Sequence, residues 1–278
     1  MDIIDIHTHV FPDDLAPKAI EELERRANIK AFLNGTVSDL RRSMQEAGIA
    51  LSVLQPVCTK PNQVRSINTW TEQFNHHFTY DDYQTPRSMI QPDILPFGTL
   101  YPGQEDWEEE INRLKRAGIR GIKLHPEYQA FDPNAPCLFP LYEKLQEENC
   151  IVLFHAGEDI GFPPPYHARP RRIAAVVEAF PDLRIIAAHM GGYNMWDEVE
   201  ECLVKKDLYL DTSYTIGHLP TERLIHMMER HGFDRILFGT DSPWKDQSEE
   251  VQNILRLDIP DEAKGKILWE NAHNLLHT

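Results

Sequence analysis

The chain has 278 residues, and its 44 acidic against 28 basic residues give a formal net charge of −16. A surface this acidic repels phosphate groups and anionic lipids, which argues against nucleic acid and membranes as partners. No apolar stretch approaches the roughly 20 residues that span a bilayer, and 41% hydrophobic with 26% charged residues is typical of a soluble globular protein.

Eight short apolar runs alternate with longer segments of helical periodicity along the chain. Such runs are typical of parallel strands that are buried on both faces. We predict strands over residues 2–6, 51–55, 94–100, 119–124, 151–154, 184–188, 208–211 and 235–238. One intervening helix is predicted to begin with a pair that resembles a capping box, Thr36 and Asp39, and to end at Gly48. The pattern predicts one α/β domain over residues 1–278, a (β/α)8 TIM barrel.

Polar residues at the carboxyl ends of the strands are the functional candidates, because catalytic groups of such barrels lie there. They are His7, His9, Lys123, His125, His155, His189, Asp211, Ser213 and Asp241. His7 and His9 project to the same side of a strand, and alone they could equally be packed core residues. Further histidines and an aspartate at other strand ends favour a divalent ion that satisfies them together. We expect Zn²⁺, with Mn²⁺ as the alternative.

The segments DIHTH, GIKLHPE, FHAG, AHMGG and FGTD, in this order, resemble the amidohydrolase superfamily. They are most similar to its amidohydrolase-related branch of metal-dependent hydrolases and non-oxidative decarboxylases. The resemblance implies a barrel of the metal-dependent hydrolase type in which His7, His9 and His155 bind the metal. It also implies that Asp241 binds the metal and acts as general base. His189 would either bind a second metal or stay unliganded as an acid, a base or an oxyanion stabiliser.

Lys123 bears on the number of metal ions. In two-metal members of the superfamily a lysine on the fourth strand is carboxylated and bridges the ions, and GIKLHPE resembles that context. We favour a solvent-accessible lysine that pairs with Glu127 or Glu158, and therefore one ion rather than two. His125 shares the inward side with Lys123 and either contacts substrate or orients a ligand.

Several cations follow the strands near the expected mouth of the barrel, namely Lys60, Arg65, Arg169 and Lys245. Our hypothesis is that one or more of them, with Arg169 the residue to test, bind a carboxylate of a small substrate. Salt bridges at the rim are the alternative. Trp244 and Phe162 either stack on a planar substrate or pack at the rim. We interpret Asp211 as an orienting residue, and at least one of His76 and His77 as a solvated surface residue.

The predicted function is hydrolysis of a small amide, ester or lactone by metal-activated water. The alternatives are a non-oxidative decarboxylase of an aromatic or unsaturated acid, with His189 as proton donor, and a metal-stabilised binding protein. Four cysteines without CxxC spacing, and an N-terminus without signal-peptide character, predict a cytoplasmic protein. A homodimer stays open, because no interface pattern is recognisable.

Overall fold

The structure is a computed structural model that describes residues 2–75 and 93–277. His76 and His77 lie outside the described residues. The described strands are β1 (Ile4–Thr8), β2 (Leu51–Leu54), β3 (Asp93–Pro96), β4 (Gly98–Thr99), β5 (Gly121–Leu124), β6 (Ile151–Phe154), β7 (Arg184–Ala187), β8 (Tyr209–Asp211) and β9 (Ile236–Leu237). All neighbouring strands are parallel, in the orders β1-β2-β3 and β4-β5-β6-β7-β8-β9.

Hydrogen bonds join the first strand to the last. Ile6 N donates to Phe238 O at 2.9 Å, Asp241 N donates to His7 O at 2.8 Å, and Thr8 forms a parallel bridge with Ser242. At the other sheet boundary, Phe97 N donates to Leu54 O at 2.9 Å. The chain therefore folds as the predicted α/β TIM barrel.

Helices follow the strands and cover the barrel. They are α1 (Ala16–Ala27), α2 (Val37–Ala47), α3 (Val64–Glu72), α4 (Trp107–Arg116), α5 (Pro126–Gln129), α6 (Phe139–Glu147), α7 (Pro170–Ala179), α8 (Trp196–Cys202), α9 (Thr221–His231), α10 (Gln247–Arg256), α11 (Asp261–Gly265) and α12 (Asn271–His277). The predicted ends of α2 are confirmed, since the Thr36 side chain accepts from Asp39 N and Gly48 ends α2 in the left-handed region. The reciprocal bond of a capping box is not formed, because Thr36 N donates to Asn34 and the Asp39 carboxylate accepts from Asn34 N. No helix within residues 2–75 and 93–277 is both long and apolar enough to cross a membrane.

The core has two layers, as the strand pattern requires. One cluster fills the barrel with residues such as Ile4, Val53, Leu153 and Ile186, and Ala272 of α12 packs against it. A larger cluster lies between the strands and the surrounding helices. The register of β1 against β2 shifts between Asp5 and Thr8. Irregularities of this kind re-aim side chains at the rims of barrels, and this one falls at His7.

Candidate metal centre

A cavity of about 810 Å³ opens at the carboxyl ends of the strands. Its floor includes His7, Lys123, His155 and His189, and α1 forms one of its walls. The predicted Trp244 and Phe162 also line it, together with other aromatic side chains. A concave site of this size with a few converging polar groups is suited to a small molecule.

His7, His9 and Asp241 form what we call the first donor group, whose ligand atoms lie within 4.8 Å of one another. The distance from His9 Nε2 to Asp241 Oδ1 is 3.2 Å, and that from His7 Nε2 to the same oxygen is 3.6 Å. Ligands about 2.1 Å from one tetrahedral Zn²⁺ lie about 3.4 Å apart, so these separations fit a shared ion.

The other nitrogen of each histidine in the first donor group is held by an acceptor. His7 Nδ1 is 3.0 Å from Asp211 Oδ2, and His9 Nδ1 is 2.7 Å from the Gln55 carbonyl oxygen. Each Nδ1 therefore donates, and in the neutral ring the Nε2 atom carries a lone pair. The Nε2 lone pair of His9 faces a carboxylate oxygen 3.2 Å away, and two acceptors this close need a proton or a cation between them.

Burial and neighbouring charges set the protonation states of the first donor group. Burial and then the positive charge of Lys123 lower the pKa of His7 to about 4. Burial by itself would raise the pKa of the Asp241 carboxyl, but a hydrogen bond from His9 and the charge of His7, both present only when a proton occupies the Nε2 atom concerned, lower it to about 2. At neutral pH the group thus presents a neutral imidazole at His7 and an ionised carboxylate, which are the states that a metal ion requires.

His125, His155 and Asp159 form a second donor group beside the first. His125 Nε2 lies 3.4 Å from Asp159 Oδ2, and the rings of His125 and His155 stack at 4.2 Å. The predicted ligand His155 thus lies with this group rather than among the first. Burial raises the pKa of the Asp159 carboxyl to about 6. Sequence reasoning missed Asp159, although it follows FHAG at the end of β6.

His189 connects the two donor groups. Its Nδ1 lies 2.9 Å from the Ser213 carbonyl oxygen, and its Nε2 lies 3.1 Å from His155 Nδ1. Because a carbonyl only accepts, His189 Nδ1 donates and its Nε2 accepts from His155 in the neutral state. The buried Nε2 of His155 is then a lone pair, and it has no hydrogen-bond partner in the described part of the chain. A cation would satisfy it.

Two ligand candidates have unusual backbone conformations. His189 has φ 59° and Asp241 has φ 63°, both in the left-handed region that residues other than glycine rarely adopt. Asp211 supports His189, since its Oδ1 accepts from His189 N at 3.0 Å. Asp211 therefore contacts two of the predicted site histidines, as expected for an orienting residue. Strained backbone of this kind is concentrated at functional sites.

The expectation for Lys123 is wrong. The side chain is 1% exposed, and its Nζ lies 3.0 Å from His7 Nε2 instead of pairing with a glutamate. Glu127 accepts from His167 N and Ala168 N, and Glu158 accepts from Asn194. The barrel interior buries this lysine, and burial lowers its pKa to about 8.

The four cations that the sequence singled out do not line the cavity within the residues described. Arg65 pairs with Glu110 at 3.2 Å, and Arg169 pairs with Glu198 at 2.6 Å. Lys245 lies over the ring of Tyr214, and Lys60 is exposed. The geometry of the two arginines agrees with the salt-bridge alternative. A different arginine, Arg26 of α1, lines the cavity and was missed.

The family model described as amidohydrolase matches residues 4–278. A dihydroorotase from Shewanella sediminis is 30% identical over 109 residues, 35% of this chain and 31% of that protein. A gamma-resorcylate decarboxylase from Polaromonas sp. is 30% identical over 129 residues, 39% of each chain. The chain thus matches less than half of the length of each of these curated relatives.

Solved structures agree with the fold over the full length. An uncharacterized TIM-barrel protein from Bordetella bronchiseptica has a TM-score of 0.77 at 20% identity, covering 100% of this chain and 99% of that one. A dihydroxybenzoic acid decarboxylase from Polaromonas sp. JS666, with bound manganese and 2-nitroresorcinol, has a TM-score of 0.67 at 20% identity. That match covers 99% of this chain and 97% of the other.

Proposed function

The chain belongs to the amidohydrolase family, and from that premise we propose that it is a metal-dependent hydrolase of a small amide, ester or lactone. The observation that carries the proposal is the convergence of His7, His9 and Asp241 at the floor of a cavity large enough for a small molecule. The curated relatives include a dihydroorotase and a decarboxylase, so the reaction type is what the experiment below tests.

One divalent ion is the proposed cofactor, with His7, His9, His155 and Asp241 as its ligands. The fit of the first donor group and the unpartnered Nε2 of His155 support it. We propose Zn²⁺, and Mn²⁺, which the Polaromonas decarboxylase structure holds, is the alternative. Such an ion supplies Lewis acidity that polarises a carbonyl and acidifies water.

The protein residues have separate roles in the proposed reaction. Asp241, with its pKa near 2, is ionised at neutral pH and accepts the proton from the attacking water. His189, fixed by the Ser213 carbonyl, lies beside His155; its Nε2 takes up a proton from solvent, and the protonated ring then hands that proton to the leaving group or stabilises the developing oxyanion. The aromatic walls exclude bulk water from the substrate, which strengthens these electrostatic contacts.

Metal removal and reloading test the proposal. Protein stripped by a chelator and reloaded with Zn²⁺ or Mn²⁺ is assayed on a panel of esters, lactones, amides and aromatic acids, with trapping of carbon dioxide. We expect metal-dependent hydrolysis that disappears in Asp241→Asn, while the far-ultraviolet circular dichroism stays unchanged.

Two outcomes would overturn the proposal. Release of carbon dioxide from an aromatic acid, without hydrolysis of any ester, lactone or amide, identifies a decarboxylase instead. Full metal loading without turnover of any compound supports a metal-stabilised binding protein.

A further inference from the structure

One positively charged side chain on the wall of the cavity, Arg26, has no assigned function, although Glu22, Glu158, Asp159 and Asp241 also line the cavity. Among the described lining residues, the lysine and arginine side chains are Lys123 and Arg26. Lys123 is buried at the floor against His7, whereas Arg26 lies in the last turn of α1 and is 39% exposed. A ligand that enters the cavity therefore meets the guanidinium of Arg26 on the way to the donor groups.

Two aromatic rings on the opposite wall hold this guanidinium. The Arg26 Cζ atom lies 5.6 Å from the ring centroids of both Tyr128 and Phe162, and these rings meet edge to face at 4.8 Å. Cation–π contacts at this distance are attractive, and together with a hydrogen bond from Arg26 to the Tyr128 hydroxyl they orient the planar guanidinium. The side chain is thus pre-organised, and the N–H groups that are not directed at Tyr128 or Glu22 are available to a ligand.

The neighbouring carboxylates have other partners. Arg26 Nη2 is 3.5 Å from Glu22 Oε1, a long contact, whereas Glu22 accepts from Arg25 at 2.8 Å through both oxygens. Asp159 accepts from Gly161 N at 2.8 Å and faces His125 at 3.4 Å. Neither Glu22 nor Asp159 forms a close bidentate ion pair with the Arg26 guanidinium, so its N–H groups are not occupied in that way.

We propose that Arg26 selects the substrate by binding an anionic group at the end of the molecule away from the reacting bond. The substrate is then an organic acid with an apolar or planar body, held between Tyr128, Phe162 and the wall formed by α1. The inference rests on the proposed function, because it takes the cavity above the donor groups as the substrate site. Arg26, which lines this cavity, thus takes the anion-binding role that the sequence had suggested for Arg169.

Calorimetric binding of three probes to the metal-loaded protein tests this inference. Benzoate offers one carboxylate, which the metal can take, while benzene-1,3-dicarboxylate and benzene-1,4-dicarboxylate offer a second. We expect at least one dicarboxylate to bind the wild type about tenfold more tightly than benzoate, which is typical of a hydrogen bond to a charged group. Arg26→Met and Arg26→Gln should abolish this advantage.

Lys18→Met is the matched control, because Lys18 is an exposed cation of the same helix and does not belong to the described cavity lining. It should keep the advantage. The inference is overturned if neither dicarboxylate binds the wild type more tightly than benzoate, or if the advantage survives in both Arg26 variants. Metal content and hydrolysis of neutral esters are measured on the same samples, so this failure is distinguishable from failure of the proposed function.

Discussion

The two donor groups contain the same residue types, two histidines and one aspartate, yet they differ in what surrounds them. In the first group, His7 and His9 each donate through Nδ1 to an oxygen acceptor from another strand end. In the second, the nearest partner of His155 is the imidazole of His189, and Asp159 lies on the loop after β6. The pKa of Asp241 is about 2, whereas that of Asp159 is about 6.

The difference teaches that donor identity alone does not define a metal centre. Partners behind the ligands fix the imidazole orientation and leave one nitrogen lone pair directed at the ion. A carboxylate that stays ionised in the metal-free protein binds a cation without first losing a proton. By these criteria the first donor group is the better prepared for an ion, because Asp241 keeps its charge to a lower pH than Asp159, and we propose His155 as the ligand from the second group.

The largest expected effect separates the two aspartates. Asp241→Asn removes the proton acceptor and a ligand, so we expect kcat to fall by about 10³-fold or more. Asp159→Asn should lower kcat by less than about tenfold, since this carboxyl is outside the proposed ligand set. Steady-state kinetics with metal analysis checks both. Equal losses in the two variants would erase the distinction between the donor groups.

The next largest effect is expected for Asp211, the carboxylate that accepts a hydrogen bond from His7 Nδ1. Asp211→Asn keeps the shape of the side chain but weakens the acceptor for His7 Nδ1. We expect the metal affinity to fall by about 10- to 100-fold, as for other residues that orient metal-bound histidines. Competition with a chromophoric chelator measures the affinity. The conservative Thr215→Ser is a suitable control, because Thr215 Oγ1 donates to the Ser213 carbonyl and touches neither imidazole.

In the metal-free protein, His7 of the first donor group and Asp159 of the second should change the free energy of unfolding in opposite directions as the pH rises. Burial, with the charge of Lys123, lowers the pKa of His7 to about 4 from 6.5. The unfolded chain therefore takes up this proton first, and the free energy of unfolding falls as the pH drops from 6.5 through 4, on the order of 3 kcal/mol. The pKa of Asp159 is raised from 3.8 to about 6, so its effect has the opposite sign. The stabilisation that the protonated carboxyl contributes to the free energy of unfolding is lost as the pH rises from 3.8 through 6.

Nitrogen-detected nuclear magnetic resonance of the histidines, with urea unfolding at each pH, measures these effects. The His7 ring should titrate with a midpoint near 4. Asp159→Asn should remove the loss of stability between pH 4 and 6. A His7 midpoint near 6.5 would contradict the expectation for His7. A pH profile of stability that is the same in Asp159→Asn as in the wild type would contradict the expectation for Asp159.

The smallest expected effect concerns Arg169, which belongs to neither donor group. Arg169 is bound to Glu198 and is absent from the described cavity lining. Arg169→Met should change KM by less than about twofold, because it removes a partly exposed ion pair. Michaelis constants for the substrate found in the panel check this. A large rise in KM would restore the hypothesis that Arg169 binds the substrate.

The sequence predicted the part of the site that follows from strand ends. Parallel strands of a barrel bring their carboxyl ends to one edge, so His7, His9 and Asp241 could be placed together from their positions alone. The bounds shifted slightly, for example from residues 2–6 to Ile4–Thr8, and the run 94–100 divides at Phe97. Hydrophobic periodicity does not resolve such ends.

Features that depend on loops and helix orientation could not be predicted. Arg26 reaches the cavity because α1 packs over its mouth. Asp159 reaches the cavity because the loop after β6 turns inward. No periodic pattern encodes either placement. The burial of Lys123 did have a signal, since GIKL reads as a strand that is buried on both faces, so a lysine within it is expected to be buried as well.

The contact between the first and last strands has a consequence for how the protein is made. Asp5 accepts hydrogen bonds from His7 N and from both Thr240 N and its hydroxyl, across 235 residues of sequence. His7 is synthesised well before Asp241, and long-range closure of this kind is slow. A nascent chain therefore cannot assemble the proposed ligand set until the ring of strands is complete. Uptake of the ion would then report that folding has finished.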